Sequence, residues 1–111
     1  MNHLAALDLE KMQAHSDEAA ALLRVLANPQ RLRILCLLVG GEHNVGQINQ
    51  QLPELSQSAL SQHLAKLREE GLVGTRREAQ TVWYTLAPGP AQDILDTLHG
   101  IYCAAPARRG R

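Results

Sequence analysis

The spacing of apolar residues changes at Gly71, and this change limits the chain to a mostly helical fold with one hairpin. Before Gly71, apolar residues recur every three or four positions, which is the spacing of amphipathic helices. After it, residues 72–78 and 81–86 read as two strands around a short turn, as in a β-hairpin. Helical spacing returns at Pro90 and continues to about residue 104.

Helix start and stop signals divide the helical part further. Asn28-Pro29 and Ser56 are typical of helix starts, and Gly40-Gly41 and Gly71 are typical of helix ends. A break in the first helix near residues 16–18 remains open. The predicted helices are 5–27, 29–39, 45–52, 56–70 and 90–104. The order α-α-α-α-β-β-α predicts a winged helix-turn-helix domain over residues 1–104, followed by a flexible tail at 105–111.

Size and charge narrow the class of protein. The 111 residues are enough for one small domain, and 45% of them are apolar without a single Phe, so the core is expected to be aliphatic. Because so small a core is marginal alone, burying a helix face between two copies would help, which favours a homodimer. The net charge of zero excludes a grossly basic nucleic-acid binder. Residues 24–77 nevertheless hold seven basic and four acidic side chains, as expected if one face meets phosphate.

The sequence contains no apolar run of the length that a membrane span needs, and no signal-peptide pattern at its start. We therefore expect a cytoplasmic protein with no membrane partner, in a compartment where thiols are normally reduced.

The predicted fourth helix carries a polar face that suits DNA. Leu60, Leu64 and Leu67 point to one side, and the other side is small or amide-bearing and uncharged, so it could enter a major groove and bond base edges. An ordinary solvated face is the alternative, and the helix alone does not decide between the two. The candidate DNA-binding residues here are Ser56, Gln57, Ser58, Ser61 and Gln62, with His63 and Lys66 flanking them.

The predicted hairpin adds a basic, polar tip. Arg76 and Arg77 on its first strand and Gln80 after its turn could grip phosphates beside the groove helix. A role in solubility alone is the competing interpretation. Trp83 and Tyr84 are interpreted as core residues.

Two segments resemble the signature of the ArsR/SmtB family of transcriptional regulators. The first is Leu26-Ala27-Asn28-Pro29-x-Arg31-Leu32-x-Ile34-Leu35, and the second runs from Ser56 to Arg68 and is followed by Gly71-Leu72-Val73 and Arg76-Arg77. The resemblance implies a homodimer built on the first and last helices, a groove-reading helix at 56–70 and a wing at 76–81. The implied partner is a double-stranded DNA operator with an inverted repeat.

The metal sites of many family members lack counterparts in this sequence. The third helix has no Cys or His, and the last helix holds Asp93, Asp96 and His99 but not the usual Asp-x-His pair. We therefore expect no metal and no cofactor, with a metal-responsive repressor kept as an alternative.

Two cysteines, Cys36 and Cys103, lie in sequence contexts similar to those of the HlyU, BigR, SqrR and YgaV group. That resemblance implies a redox-sensing pair that reports reactive sulfur or oxidant by forming a disulfide or sulfur-bridged link. Two unrelated thiols are the alternative that the residues alone leave open. The resulting expectation is a DNA-binding regulator, most simply a repressor, with an anti-repressor of the virulence type as an alternative.

The sequence disfavours two other classes of protein. A thiol enzyme would need a base, an orienting group and a substrate pocket, and only His99 offers itself as a base, so we expect no enzymatic activity. A partner-binding module without DNA contact is disfavoured by the Ser/Gln face and the arginines of the wing.

Overall fold

The computed structural model describes residues 2–103, with side chains described from Leu9 onward. Within these residues the chain forms five helices and three strands. They are α1 (Asn2–Leu26), α2 (Pro29–Val39), β1 (His43–Asn44), α3 (Val45–Gln51), α4 (Gln57–Glu69), β2 (Val73–Glu78), β3 (Thr81–Leu86) and α5 (Pro90–Tyr102). The winged helix-turn-helix fold is confirmed. The tail predicted at 105–111 lies outside the described residues.

Side-chain caps explain where the central helices begin. The Asn28 side chain accepts hydrogen bonds from the backbone N–H groups of Gln30 and Arg31, both at 3.0 Å, and Pro29 occupies the first helical position. Ser56 accepts from the N–H of Ala59 at 3.0 Å and so caps α4. Both predicted helix starts are confirmed. Each cap satisfies backbone N–H donors that the first turn of a helix leaves unpaired.

The first helix is continuous, so the break left open near residues 16–18 does not occur. The Ser16 hydroxyl donates back to the carbonyl of Gln13 at 3.3 Å. A serine bonded to the preceding turn in this way sits inside a helix and does not start a new one.

The turn between α3 and α4 is held by a side chain that the sequence pattern does not single out. The Asn49 amide donates to the carbonyl of Leu55 at 2.9 Å and to that of Leu52 at 3.4 Å. These bonds tie the end of α3 to the turn that leads into α4, and they fix how the two helices meet.

The sheet has three strands in the order β1-β3-β2, and both pairings are antiparallel. The sequence predicts the hairpin of β2 and β3 but not β1, since a strand of two residues is too short to show any period. Through β1, the central strand β3 is bonded to the chain immediately before α3.

The core is aliphatic, as composition predicts, and α4 lies at its centre. Leu60, Leu64 and Leu67 are almost fully buried, and Tyr84 packs against the same cluster. Trp83 is not part of this cluster, so its interpretation as a core residue is wrong. Other members of the buried cluster are Val25, Leu26, Ile34, Leu35, Leu38, Ile48, Leu52, Leu55, Leu72, Val73, Ala91 and Leu95.

The face of α2 that enters the core differs from the one expected. By helical spacing the sequence predicts that Leu35, Cys36 and Val39 share the buried face. The buried residues of α2 are instead Ile34, Leu35 and Leu38. Cys36 is exposed and Val39 is 41% exposed. The helix is apolar around most of its circumference, so its spacing alone leaves the buried face open.

Large apolar side chains of α1 and α5 remain exposed. On α1 they are Leu9, Met12 and Leu23, and on α5 they are Ile101 and Tyr102. None of the helices in the described part of the chain has the length and apolar character needed to cross a membrane.

The junction between α4 and β2 depends on a left-handed residue. Gly71 has φ +79°, and the N–H of Leu72 donates to the carbonyl of Leu67 at 2.9 Å while that of Gly71 donates to Arg68 at 3.0 Å. These two bonds form the Schellman arrangement that ends a helix and redirects the chain.

We expect Gly71→Ala to lower the free energy of unfolding by about 1 kcal/mol, because a Cβ disfavours positive φ. Gly71→Asn is the matched control and should cost less, since asparagine tolerates this conformation better. Chemical denaturation of the three proteins measures the difference. Equal stability of the alanine variant and wild type would contradict the assignment.

Candidate DNA interface and cysteine pair

The surface of α4 opposite the core is polar, uncharged and accessible over its first turns. Ser58, Ser61 and Gln62 are exposed, and they lie opposite the buried leucines of the same helix. Gln57 is also exposed, and so is Ser56, although the Ser56 hydroxyl already accepts the capping bond. Short polar side chains on an accessible helix allow close approach to base edges.

The two residues predicted to flank this surface are engaged within the protein. The His63 ring nitrogen Nε2 is 3.0 Å from the Gln30 side-chain oxygen of α2. Burial and the nearby Arg31 charge lower the pKa of His63, which favours the neutral ring at neutral pH. Lys66 lies 3.2 Å from Glu70 in an exposed ion pair. His63 therefore ties α4 to α2, and Lys66 is paired with an acidic neighbour of the same helix.

The two arginines of the hairpin point to opposite faces of the sheet. Residue pairing places Arg77 across from Val82 and Arg76 across from Trp83, and successive residues of a strand alternate between faces. Arg77 is on the face that continues to the core residues Val73 and Leu86, and within residues 2–103 it makes no ion pair. Gln80 is exposed at the hairpin turn.

Arg76 is fully engaged on the other face. Its guanidinium bonds both carboxylate oxygens of Glu42 and lies 3.1 Å from Glu78. Its central carbon lies 5.6 Å from the centre of the Trp83 ring. The sequence groups Arg76 with Arg77, and the structure separates them.

An open depression joins α4 to the sheet face that carries Arg77. It is lined by Ser61, Ala65, Arg68 and Tyr84, among others. Ser61 of the polar α4 face and Tyr84 of the sheet face that carries Arg77 thus line one depression. We name the candidate interface around it the DNA-facing surface: Gln57, Ser58, Ser61, Gln62, Arg77 and Gln80.

Cys36 is exposed, yet its thiol lies in an apolar setting. Leu32, Leu37, Leu52 and Arg33 line the shallow depression around it. Burial, and secondly the charge of Cys103, raise the pKa of the Cys36 thiol. A raised pKa leaves less thiolate at neutral pH, so Cys36 is a slow nucleophile.

Cys103 follows the last residue of α5 and caps that helix, with its N–H donating to the carbonyl of His99 at 2.8 Å. It is exposed. Its charge contributes to the raised pKa of Cys36, a residue 67 positions earlier in the sequence. Helices α2, which carries Cys36, and α5, which ends just before Cys103, are in contact.

Metal-binding groups do not gather in the described part of the chain. Over residues 2–103, three or more His, Cys, Asp or Glu side chains nowhere meet in an arrangement that could hold a metal ion.

Sequence reasoning missed two residues that shape this surface. Gln30 anchors His63, and Glu42 pairs with Arg76. Both partners lie more than 30 residues away in the sequence, and neither Gln30 nor Glu42 belongs to a local motif. The sequence offers one hint of such a partner: the predicted hairpin holds two arginines but only one acidic residue.

Comparison with known proteins gives consistent matches. The model of the family "bacterial regulatory protein, arsR family" matches residues 28–75. The transcriptional activator HlyU of Vibrio cholerae is 50% identical over 101 residues, covering 91% of this chain and 93% of HlyU. A biofilm growth-associated repressor of Agrobacterium fabrum is 41% identical over 101 residues, covering 91% and 86%.

Solved structures agree with the sequence matches. The structure of reduced HlyU from Vibrio cholerae superposes with a TM-score of 0.79 at 52% identity, covering 86% of this chain and 99% of that one. These relatives are transcriptional regulators and not enzymes.

We expect alkylation of Cys36 by iodoacetamide to have its pH midpoint above about 8.5, the usual value for a free thiol, because burial raises the Cys36 pKa. In Cys103→Ser the midpoint should fall, since the neighbouring charge is removed, but burial should keep it above the usual value. Mass spectrometry of the Cys36 peptide across a pH series gives both midpoints. A Cys36 midpoint below the usual value would contradict the apolar setting.

Proposed function

Because this chain belongs to the arsR family of bacterial transcriptional regulators, we propose that it binds operator DNA through its DNA-facing surface and is switched by its two thiols. The observation that supports DNA binding most directly is the exposed polar face of α4. Ser58, Ser61 and Gln62 are exposed and uncharged on the helix that the fold presents outward. We assign base contacts to Ser61 and Gln62, as side chains able to bond base edges in a major groove.

Phosphate contacts are assigned to residues around this helix. Arg77 supplies an unpaired guanidinium on the same side of the molecule, and Gln80 supplies an amide at the hairpin tip. Ser56 and Gln57 at the start of α4 place backbone and side-chain donors near the DNA backbone. Lys66 adds a positive charge at the far edge of the helix.

We propose a homodimer built from residues 1–104, with α1 and α5 between the copies. Leu9, Met12 and Leu23 on α1 and Tyr102 on α5 are exposed, and pairing two copies would cover them. A two-fold dimer would present two α4 helices to successive major grooves, ~34 Å apart. The matching operator is an inverted repeat.

The proposed signal is a reactive sulfur species or an oxidant acting on Cys36 and Cys103. Since its raised pKa makes Cys36 a slow nucleophile, we assign the first attack to Cys103 and the second step to Cys36. With a peroxide, Cys103 becomes a sulfenic acid as the peroxide bond breaks, and Cys36 then displaces water to form the disulfide. With a low-molecular-weight persulfide, Cys103 takes the outer sulfur and releases a thiol, and Cys36 then displaces hydrogen sulfide. Such a switch needs reduced thiols at rest, which favours a cytoplasmic location.

The link would act on DNA binding through α2. Cys36 is on α2, and α2 contacts α4 through the Gln30–His63 hydrogen bond. Joining α5 to α2 would constrain the helix that holds α4 and the helix assigned to the dimer. The spacing of the two α4 helices would then change, and operator affinity would fall.

We propose repression as the direct effect of operator binding. HlyU is named a transcriptional activator, and the Agrobacterium relative is named a repressor. A protein that displaces another repressor from DNA activates transcription with the same surface, so both outcomes use the contacts assigned above.

Variants of the DNA-facing surface should separate base contacts from phosphate contacts. The double variant Ser61→Ala, Gln62→Ala should lose about 1–3 kcal/mol at particular operator positions and leave nonspecific binding nearly unchanged. Arg77→Ala should weaken binding to all sequences and lower the slope of log affinity against log salt by about 0.9. Mobility shifts on a duplex selected from random DNA by the wild type, and on its scrambled version, measure both. Unchanged discrimination in the double variant would show that α4 is not the reading helix.

Oxidation should lower operator affinity only when both thiols are present. After treatment with hydrogen peroxide or a persulfide donor, the wild type should contain a Cys36–Cys103 link within one chain, seen by non-reducing peptide mass spectrometry. Cys36→Ser and Cys103→Ser should each bind DNA like the reduced wild type and fail to respond. Reduction with dithiothreitol is the control and should restore wild-type binding. If both serine variants still release DNA on oxidation, the thiol switch is wrong and the DNA-binding assignment stands.

A further inference from the structure

One side chain, Arg76, joins strands β2 and β3 to the residue that precedes β1. It extends from β2, and its guanidinium lies over the ring of Trp83 on the central strand β3. It reaches Glu42, the residue immediately before β1, with Nη2 donating to the carboxylate at 2.8 Å and Nε donating to its other oxygen. Trp83 is also the backbone partner of Asn44 in β1. The arrangement therefore connects both edges of the sheet across its centre.

We propose that Glu42, Arg76 and Trp83 form a wing clamp that positions the hairpin for DNA, so that Arg76 is a positioning residue and not a phosphate contact. The inference rests on the proposed DNA-binding function. It changes the role expected for Arg76 from the sequence, in which it is grouped with Arg77.

The charges around Arg76 disfavour phosphate binding. Glu42 and Glu78 both lie at the guanidinium, so the cluster of three side chains carries one net negative charge. The hydrogen bonds between Arg76 and Glu42 lower the pKa of Glu42 and raise the pKa of Arg76, which keeps both side chains ionised at neutral pH. A phosphate would have to displace two carboxylates, and a bidentate guanidinium–carboxylate pair is among the stronger polar contacts in proteins.

The clamp is placed to fix the hairpin relative to the reading helix. Asn44 of β1 caps α3 and forms a capping box with Gln47, so Glu42 stands two residues before the start of the helix-turn-helix. A two-stranded hairpin alone is marginally stable in water. Tying its outer strand β2 to the residue before β1 sets the distance between Arg77 at the tip and the exposed face of α4.

The direction of the change in DNA affinity when Glu42 is removed tests whether Glu42 holds the wing clamp. Removing an acidic side chain near DNA normally increases affinity, because repulsion from phosphate is lost. If Glu42 holds the clamp, Glu42→Ala should instead weaken binding to the selected duplex about three- to tenfold, as expected for loss of a surface ion-pair network and a cation–π contact. Glu69→Ala is the matched control, an exposed carboxylate on α4 with no ion pair within residues 2–103. It should bind as tightly as wild type or more tightly.

Arg76→Lys tests whether charge or geometry matters. Lysine keeps the positive charge but lacks the planar fork and stacks less well on an indole. A clamp predicts that Arg76→Lys weakens binding as Glu42→Ala does, and that the two changes together cost no more than one alone. In an Arg77→Ala background, Arg76→Lys should cost little more, because the contact that the clamp positions is already gone.

Fluorescence tests the clamp without DNA. Trp83 is the only tryptophan of the chain, so its emission reports the cluster directly. Arg76→Lys and Glu42→Ala should both shift its emission maximum, and Glu69→Ala should not. Thermal melts of each variant confirm that the fold is retained.

The outcomes distinguish the clamp from the function on which it rests. If wild type binds the selected duplex and Arg76→Lys binds equally well with the same salt slope, or Glu42→Ala binds more tightly, the clamp is overturned and DNA binding stands. Unchanged Trp83 emission in both variants would also overturn it. If wild type does not discriminate the selected duplex from scrambled DNA, the proposed function fails, and the positioning role fails with it.

Discussion

Burial of the leucine stripe of α4 is the interaction on which the rest of the structure depends. Leu60, Leu64 and Leu67 are almost completely removed from water, and each such side chain contributes about 1.5–3 kcal/mol when buried. Because an α-helix has a fixed period, burying one stripe forces the opposite residues outward. The exposed Ser and Gln side chains of the DNA-facing surface follow from this packing, and no polar contact is needed to orient them.

Helix α2 links the core, the reading helix and the thiol pair. Ile34 and Leu35 are fully buried in the core beside α4. Gln30, at the start of the helix, bonds His63, and Cys36 lies on the exposed side of the same helix. Since one rigid helix carries all three contacts, a change at the thiols has a short physical route to α4. The route is a packed helix with a defined hydrogen bond, and the proposed switch needs no larger rearrangement within one chain.

The two neighbouring arginines of the hairpin have different surroundings because successive residues of a strand alternate between the faces of the sheet. Arg77 shares a face with core residues and is assigned to the proposed DNA surface, and Arg76 is enclosed by Glu42, Glu78 and Trp83 on the other face. Arg76 and Arg77 are adjacent in the sequence and carry the same charge. In the structure, the charge of Arg76 is neutralised by carboxylates, and Arg77 makes no ion pair within residues 2–103. A net charge of zero for the chain is compatible with DNA binding when the unpaired cations are placed locally in this way.

The sequence by itself determined the order of the elements, since caps at Asn28 and Ser56, the left-handed Gly71 and the change of apolar period are local signals that act within a few residues. It also determined which face of α4 is polar. Only the tertiary structure decided the pairing of Arg76 with Glu42 and of His63 with Gln30, the two-residue strand β1 and the buried face of α2. These features join residues more than 30 positions apart or arise from how one helix rotates against its neighbours. Such contacts depend on packing, and local sequence patterns carry no record of them.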